Sequence, residues 1–135
     1  MALVDLDFVR SIYEVHNSAG DDFPELLARD LTHADVEFVE FASAPGAATH
    51  RGRDAVAALF RGRFEAGAMR VEDLELTALD ERRALAAFRI CMLGKGSGAD
   101  TSMRLWNLVT VDGSRRVVRI EEFSEEAAAL AAARR

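Results

Sequence analysis

The stretch Thr101–Phe123, TSMRLWNLVTVDGSRRVVRIEEF, decides the architecture. From Thr101 to Val111 apolar and polar residues alternate, with Met103, Leu105, Val109 and Val111 on one parity. Period-two alternation is the mark of a strand with one buried face. Asp112-Gly113 supplies a turn, and a second β-rich run returns from Val117 to Phe123. Two long neighbouring strands of this kind belong in the middle of a sheet. One polar residue breaks the apolar parity: Asn107 shares its face with Leu105 and Val109. A buried amide is costly unless it is bonded, so this intrusion marks a candidate site.

Working outward, the N-terminal end reads as helical. Asp5 or Asp7 can cap a first helix whose stripe is Val9, Ile12, Tyr13 and His16, and Ser18-Ala19-Gly20 ends it. Asp21-Asp22-Phe23-Pro24 opens a second short helix carrying Leu26, Leu27 and Leu31. Asp35 to Phe41 alternates as a strand with Val36 and Phe38 on one face, and Ala42 to Ala48 is a loop. Thr49 to Arg51 is a brief strand, and Arg53 begins a third helix with Val56, Leu59, Phe60 and Phe64 on one stripe. Met69 to Leu79 and Ala84 to Leu93 are two more strands, and Gly94 to Gly98 forms a loose hairpin tip. Ser124 is the expected cap of a last, alanine-rich helix. Segregated helices followed by an antiparallel meander define an α+β fold. A four-stranded meander with three helices must curl over them, giving a cone with a mouth.

The chain has 135 residues, one domain of ordinary size spanning residues 1–135, long enough for a core without disulfides. The net charge is −6, which argues against a nucleic-acid partner. The one locally basic stretch, His50 to Arg63, reads as a solvated helix face. No apolar run reaches the ~20 residues of a membrane span, and acidic residues in MALVDLDFVR argue against a secretion signal. The single cysteine, Cys91, fits a reducing, cytoplasmic location. Sixteen of the seventeen basic residues are Arg, a bias that fits a GC-rich bacterial genome. His16, His33 and His50 lack ligand spacing, so no metal is expected, and GKGSG fails the spacing of a phosphate loop, so no nucleotide cofactor is expected.

Several features together carry a resemblance. They are Gly20-Asp21 at the joint of the first two helices, Ala34-Asp35 before the first strand, and His50-Arg51-Gly52-Arg53-Asp54-Ala55-Val56 opening the third helix. Asp112-Gly113 before the last strand and Phe123 at its end complete the set. The chain resembles the NTF2-like superfamily, in particular its SnoaL-like and ketosteroid-isomerase-like branch, from about Phe8 to Ser124. The resemblance implies a cystatin-like roll: a cone-shaped, strongly curved and mostly antiparallel sheet wrapped around the N-terminal helices. It does not by itself imply a reaction.

Ketosteroid isomerases carry a tyrosine on the first helix as a hydrogen-bond donor to the substrate oxygen, and Tyr13 falls there. Their protonated aspartic acid on the penultimate strand corresponds to Asn107, whose amide still donates, so a two-donor polarising pair is implied. Their general base on the first strand corresponds to Phe38, which cannot take a proton. Polyketide cyclases of the SnoaL type use a carboxylate near the end of the last strand, where Glu121 lies. With Phe123 facing the cavity, alternation turns Glu121 inward too. Each has a plainer reading: Tyr13 as a core residue, Glu121 as a solvated carboxylate beside Arg119.

The expected catalytic residues are therefore Tyr13, Asn107 and Glu121. The helices contribute Val9, His16 and Phe60 to the pocket wall, and the strands contribute Phe38, Phe88, Ile90, Leu105 and Phe123. The leading function is cofactor-free acid/base chemistry on a small apolar carbonyl compound, of isomerase or cyclase type. The alternatives are a non-catalytic binder of a small hydrophobic ligand and a dimeric interaction module. A homodimer is expected through the outward sheet face around Cys91, Trp106 and Leu108.

Overall fold

A computed structural model describes residues 2–42, 47–94 and 100–135. The parts of the expected loop and hairpin tip at 43–46 and 95–99 lie outside the described residues. Helix α1 spans Leu6–Ala19. The Asp5 carboxylate accepts hydrogen bonds from the Asp7 and Phe8 amides, so Asp5 is the cap. Its buried residues are Val9, Ile12, Tyr13 and His16, the stripe read from the sequence.

The second helical segment is less regular than a single short helix. A 3₁₀ turn (Gly20–Asp22), the four-residue helix α2 (Phe23–Leu26) and a wider π turn (Leu27–Leu31) follow one another. The Thr32 hydroxyl closes this segment by donating to the Leu27 and Ala28 carbonyls. Strand β1 then runs over Thr32–Val39, three residues earlier than the alternation indicates, and β2 over Thr49–Arg51. Helix α3 covers Arg53–Ala66 and buries Val56, Ala57, Phe60 and Phe64. Gly52 holds φ at 89° in front of it, where a side chain is disfavoured, and its amide donates to the Val36 carbonyl at 2.8 Å. That bond ties the start of α3 to β1.

Four strands follow: β3 (Gly67–Ala78), β4 (Arg83–Gly94), β5 (Asp100–Val111) and β6 (Val117–Phe123). The sheet order is β2-β1-β6-β5-β4-β3, so the 101–123 stretch does occupy the centre. β1 runs parallel to β6 and every other pair is antiparallel. The fold is α+β with a mixed, unclosed six-stranded sheet. β3 carries a bulge: its register slips between Glu72 and Glu75, and Asp73 takes φ 53°. At its start, a Cβ on Gly67 would sit 2.7 Å from the Leu93 carbonyl oxygen, so this close approach of β3 to β4 requires glycine.

One sheet face carries Val36, Phe38, Phe88, Ile90, Leu105, Val109 and Ile120 into the core with α1 and α3. Burying each large side chain of this kind contributes roughly 1.5–3 kcal/mol. The other face holds Leu85 against Leu108 and is partly covered by helix α4, Glu126–Ala133. Ala129 and Ala132 of α4 are buried there. The residue in front of α4 is Glu125 rather than the expected Ser124, and no side chain caps the helix. Leu108, expected on an open outward face, is buried.

Candidate functional site

A pocket of about 540 Å³ of empty space, part of it open to solvent, lies between α1, α3 and the core face of the sheet. Its deep wall comes from strand pairing. Ala86, fully buried, stands opposite Asn107 on the neighbouring strand, and Asn107 stands opposite Glu122 on the next.

Tyr13, His16, Phe38 and Phe60 line this pocket, and so do Phe88, Ile90, Leu105 and Asn107. Val9 is fully buried in the core behind the wall rather than on it. Two expectations need correction. Phe123 pairs with Trp106 on the opposite sheet face, and Glu121 shares that parity. Glu121 points away from the pocket and meets Arg119 at 3.5 Å and Arg135 at 3.3 Å. The pocket side of β6 is Ile120 and Glu122. Alternation is the right rule, but Phe123 gives it the wrong phase, and a one-residue error in phase exchanges every side chain between faces.

Glu122 is the carboxylate that lines the pocket, with 2% of its side chain exposed. Arg63 of α3 grips both of its oxygens, Nη1 to Oε2 and Nη2 to Oε1, each at 3.1 Å. The guanidinium also lies over the Phe38 and Phe60 rings and reaches Glu40 at 3.6 Å. Glu40 in turn accepts from His50 Nε2 at 2.7 Å. This chain of charges was missed: the basic stretch His50 to Arg63 reads as a solvated face, whereas two of its members turn inward. The available signal was Arg63 falling one turn after Phe60 on the buried stripe.

At the deep end, Asn107 Nδ2 donates to the Tyr13 hydroxyl at 2.9 Å. The Tyr13 proton finds no acceptor among the described residues. Asn107 Oδ1 is buried and has no partner either. Burial pushes the Tyr13 phenol well above its ordinary range, and the Glu122 charge adds to this while the Asn107 bond opposes it. Tyr13 is therefore a protonated donor at neutral pH. The donor of Asn107 is already used on Tyr13, so the implied pair of donors becomes one donor and one acceptor.

His16 sits one turn beyond Tyr13 on α1, between the Phe23 and Phe64 rings at 4.9 and 5.2 Å. Its tautomer follows from Asn17. The Asn17 amide donates from Nδ2 to the Val71 carbonyl at 2.7 Å and accepts the Val71 N–H at Oδ1 at 2.8 Å, which fixes its orientation. His16 Nδ1, 3.2 Å from that same Oδ1, must carry the proton. Nε2 is left as a lone pair. Burial lowers the His16 pKa below the ordinary imidazole range and the Arg63 charge lowers it further, against the Asn17 bond. His16 is neutral at pH 7.

Among the described residues, no group of three or more His, Cys, Asp or Glu could hold a metal ion, and no helix is long and apolar enough to cross a membrane. The Cys91 thiol is pushed up by burial and by Glu72, which makes it a poor nucleophile.

No family profile and no curated protein matches the chain. Solved structures do. An NTF2-like protein from Burkholderia xenovorans LB400 is 24% identical, with a TM-score of 0.69 over 95% of this chain and 94% of the other. A protein described as a candidate polyketide cyclase from Xanthomonas campestris pv. campestris is 19% identical, with a TM-score of 0.73 over 95% of each chain. Bal32a, from a soil-derived mobile gene cassette, is 19% identical with a TM-score of 0.75, over 93% of this chain and 92% of the other. The chain has the NTF2-like fold, shared with SnoaL-like proteins.

Proposed function

We propose that this protein takes a small, largely apolar carbonyl compound into its pocket and moves a proton on it without a cofactor, as an isomerase or cyclase does. The observation that carries this reading is a protonated Tyr13 donor and a neutral His16 base on one face of α1, inside one apolar pocket. The Tyr13 O–H supports the substrate oxygen. His16 Nε2 takes a proton from a carbon near it, and the electron pair of that C–H bond moves onto the supported oxygen. Returning the proton at another carbon gives isomerisation; attack of the same carbon on a second carbonyl gives ring closure. Four of the structures it resembles bear the description polyketide cyclase, and ring closure through a carbanion begins with such a deprotonation.

One observation favours a second reading, a non-catalytic binder. Both oxygens of Glu122 are occupied by Arg63, so the pocket offers no free carboxylate among the described residues. Hydrogen–deuterium exchange separates the two. With 4-methylcyclohexanone in heavy water, the protein should speed exchange of the protons next to the carbonyl, followed by proton NMR. His16→Gln should lower that rate by roughly 10²–10⁴-fold, the share of a general base. Exchange no faster than in buffer would leave the binder.

A further inference from the structure

We infer that the pocket selects uncharged ligands against carboxylates, and that Glu40, which is not among the residues lining it, sets this selectivity. The inference rests on the pocket reading above and narrows the class of molecule taken to a neutral carbonyl compound, as opposed to a keto acid. Its basis is the charge count around one guanidinium. Among the described residues Arg63 is the one side chain on the pocket wall with a permanent positive charge. Alone, such a group would hold a ligand carboxylate in a bidentate grip. That place is already filled. Glu122 occupies Nη1 and Nη2 at 3.1 Å each, and Glu40 Oε2 stands 3.6 Å from Nη2. Glu40 follows Phe38 by two residues, just past β1, so alternation turns it to the face on which Arg63 lies over the Phe38 ring.

Two carboxylates against one guanidinium leave the group a net charge of −1. The side chains of Arg63, Glu40 and Glu122 are only 21%, 13% and 2% exposed, so water and salt screen them little. Their charges are felt inside the pocket, where Glu122 acts on the Tyr13 phenol and Arg63 on the His16 imidazole. A ligand carboxylate would be the third around a single guanidinium. It would give up its hydration and meet net repulsion in return. An uncharged ligand meets neither. Proton transfer to His16 does not face the same barrier, because enolate and imidazolium form together and the total charge of the pocket stays as it was.

The test uses two probes of one shape that differ in charge, cyclohexanecarboxamide and cyclohexanecarboxylate. Each is titrated into the full chain at pH 8, which keeps the count free of a proton on His50, whose Nε2 lies 2.7 Å from Glu40. Binding is read from the backbone amide signals of the pocket residues by nitrogen-15 NMR. The carboxamide should bind about tenfold or more tighter than the carboxylate. Glu40→Gln removes one negative charge and keeps the shape. It should shrink that ratio roughly tenfold, the order expected of one unit charge several Å away in the effective dielectric of a protein. An apolar wall alone would disfavour the carboxylate in parent and variant alike, so it is the change in the ratio that identifies Glu40. If Glu40→Gln fails to fold, Glu122→Gln removes the other charge and should shrink the ratio likewise. A ratio left unchanged, with the carboxamide still bound, would overturn the inference and leave the pocket reading intact. If neither probe moves a pocket signal, both fall together.

Discussion

At His16, burial, a neighbouring guanidinium and a fixed tautomer act on a single ring. Because its folded-state pKa lies below the unfolded value, the unfolded chain binds a proton more readily than the folded one. The stability it contributes is fully present above the unfolded value near ~6.5 and is lost as pH falls from there toward the lower folded value. Chemical denaturation between pH 7 and 5 should show that decline, and His16→Gln should remove this component of it. The lowered carboxyls of Asp30 and Asp80 act in the same direction, but from their ordinary value of 3.8 downward, below the pH range of this measurement. An unchanged pH profile in His16→Gln would mean that the imidazole charges in place without cost. Tyr13 was legible in the sequence as a member of the α1 stripe, and Asn107 as a polar break in an apolar parity. The pairing of the two was not, because ninety-four residues separate them and only the fold brings them together.

Elements meet at Asn17. The last turn of α1 holds edge strand β3 through both backbone groups of Val71, much as a neighbouring strand would. Asn17→Ala should cost about 1–3 kcal/mol, the penalty for unpaired backbone groups, in urea denaturation. It should also speed amide exchange at Val71 and free His16 Nδ1 to change tautomer, visible in the ring nitrogen shifts. Exchange as slow as in the parent would show that β3 holds its edge without α1. The α1 stripe and the long strands were legible because their periods of 3.6 and 2 persist over many residues. The bulge at Asp73 shifts the pairing by one residue, and the sequence carries its trace: the large apolar residues of β3 stand at odd positions up to Val71 and at even ones from Leu74, with Glu72 and Asp73 polar between them. The phase of β6 was not legible: in VVRIEEF both parities offer apolar residues, and either reading is locally self-consistent.

For the whole molecule, the sheet divides the chain into a pocket side under α1 and α3 and an outer side partly covered by α4. A second copy of the chain is the partner we propose for the rest of that outer side, where Trp106, Phe123 and Cys91 are only half-buried. The apolar area there is smaller than the sequence indicates, since Leu108 is already buried within the single chain. Velocity sedimentation at micromolar concentration should give twice the chain mass of 14.8 kDa. A clean monomer removes the second copy and leaves α4 as sufficient cover.

The sequence by itself determined the class of fold, because hydrophobic periodicity, turn residues and segregated helices are local signals read one segment at a time. It also determined that Tyr13 and Asn107 are unusual residues for their faces. Only the tertiary structure decided that Glu122 rather than Glu121 faces the pocket, that Arg63 closes both of its oxygens, and that Asn17 sets the tautomer of His16. It alone decided that the donor of Asn107 is spent on Tyr13. The physical reason is common to all four: strand phase, ion pairing and hydrogen-bond partner depend on which side chains meet across elements, and that information is not local to any stretch of the chain.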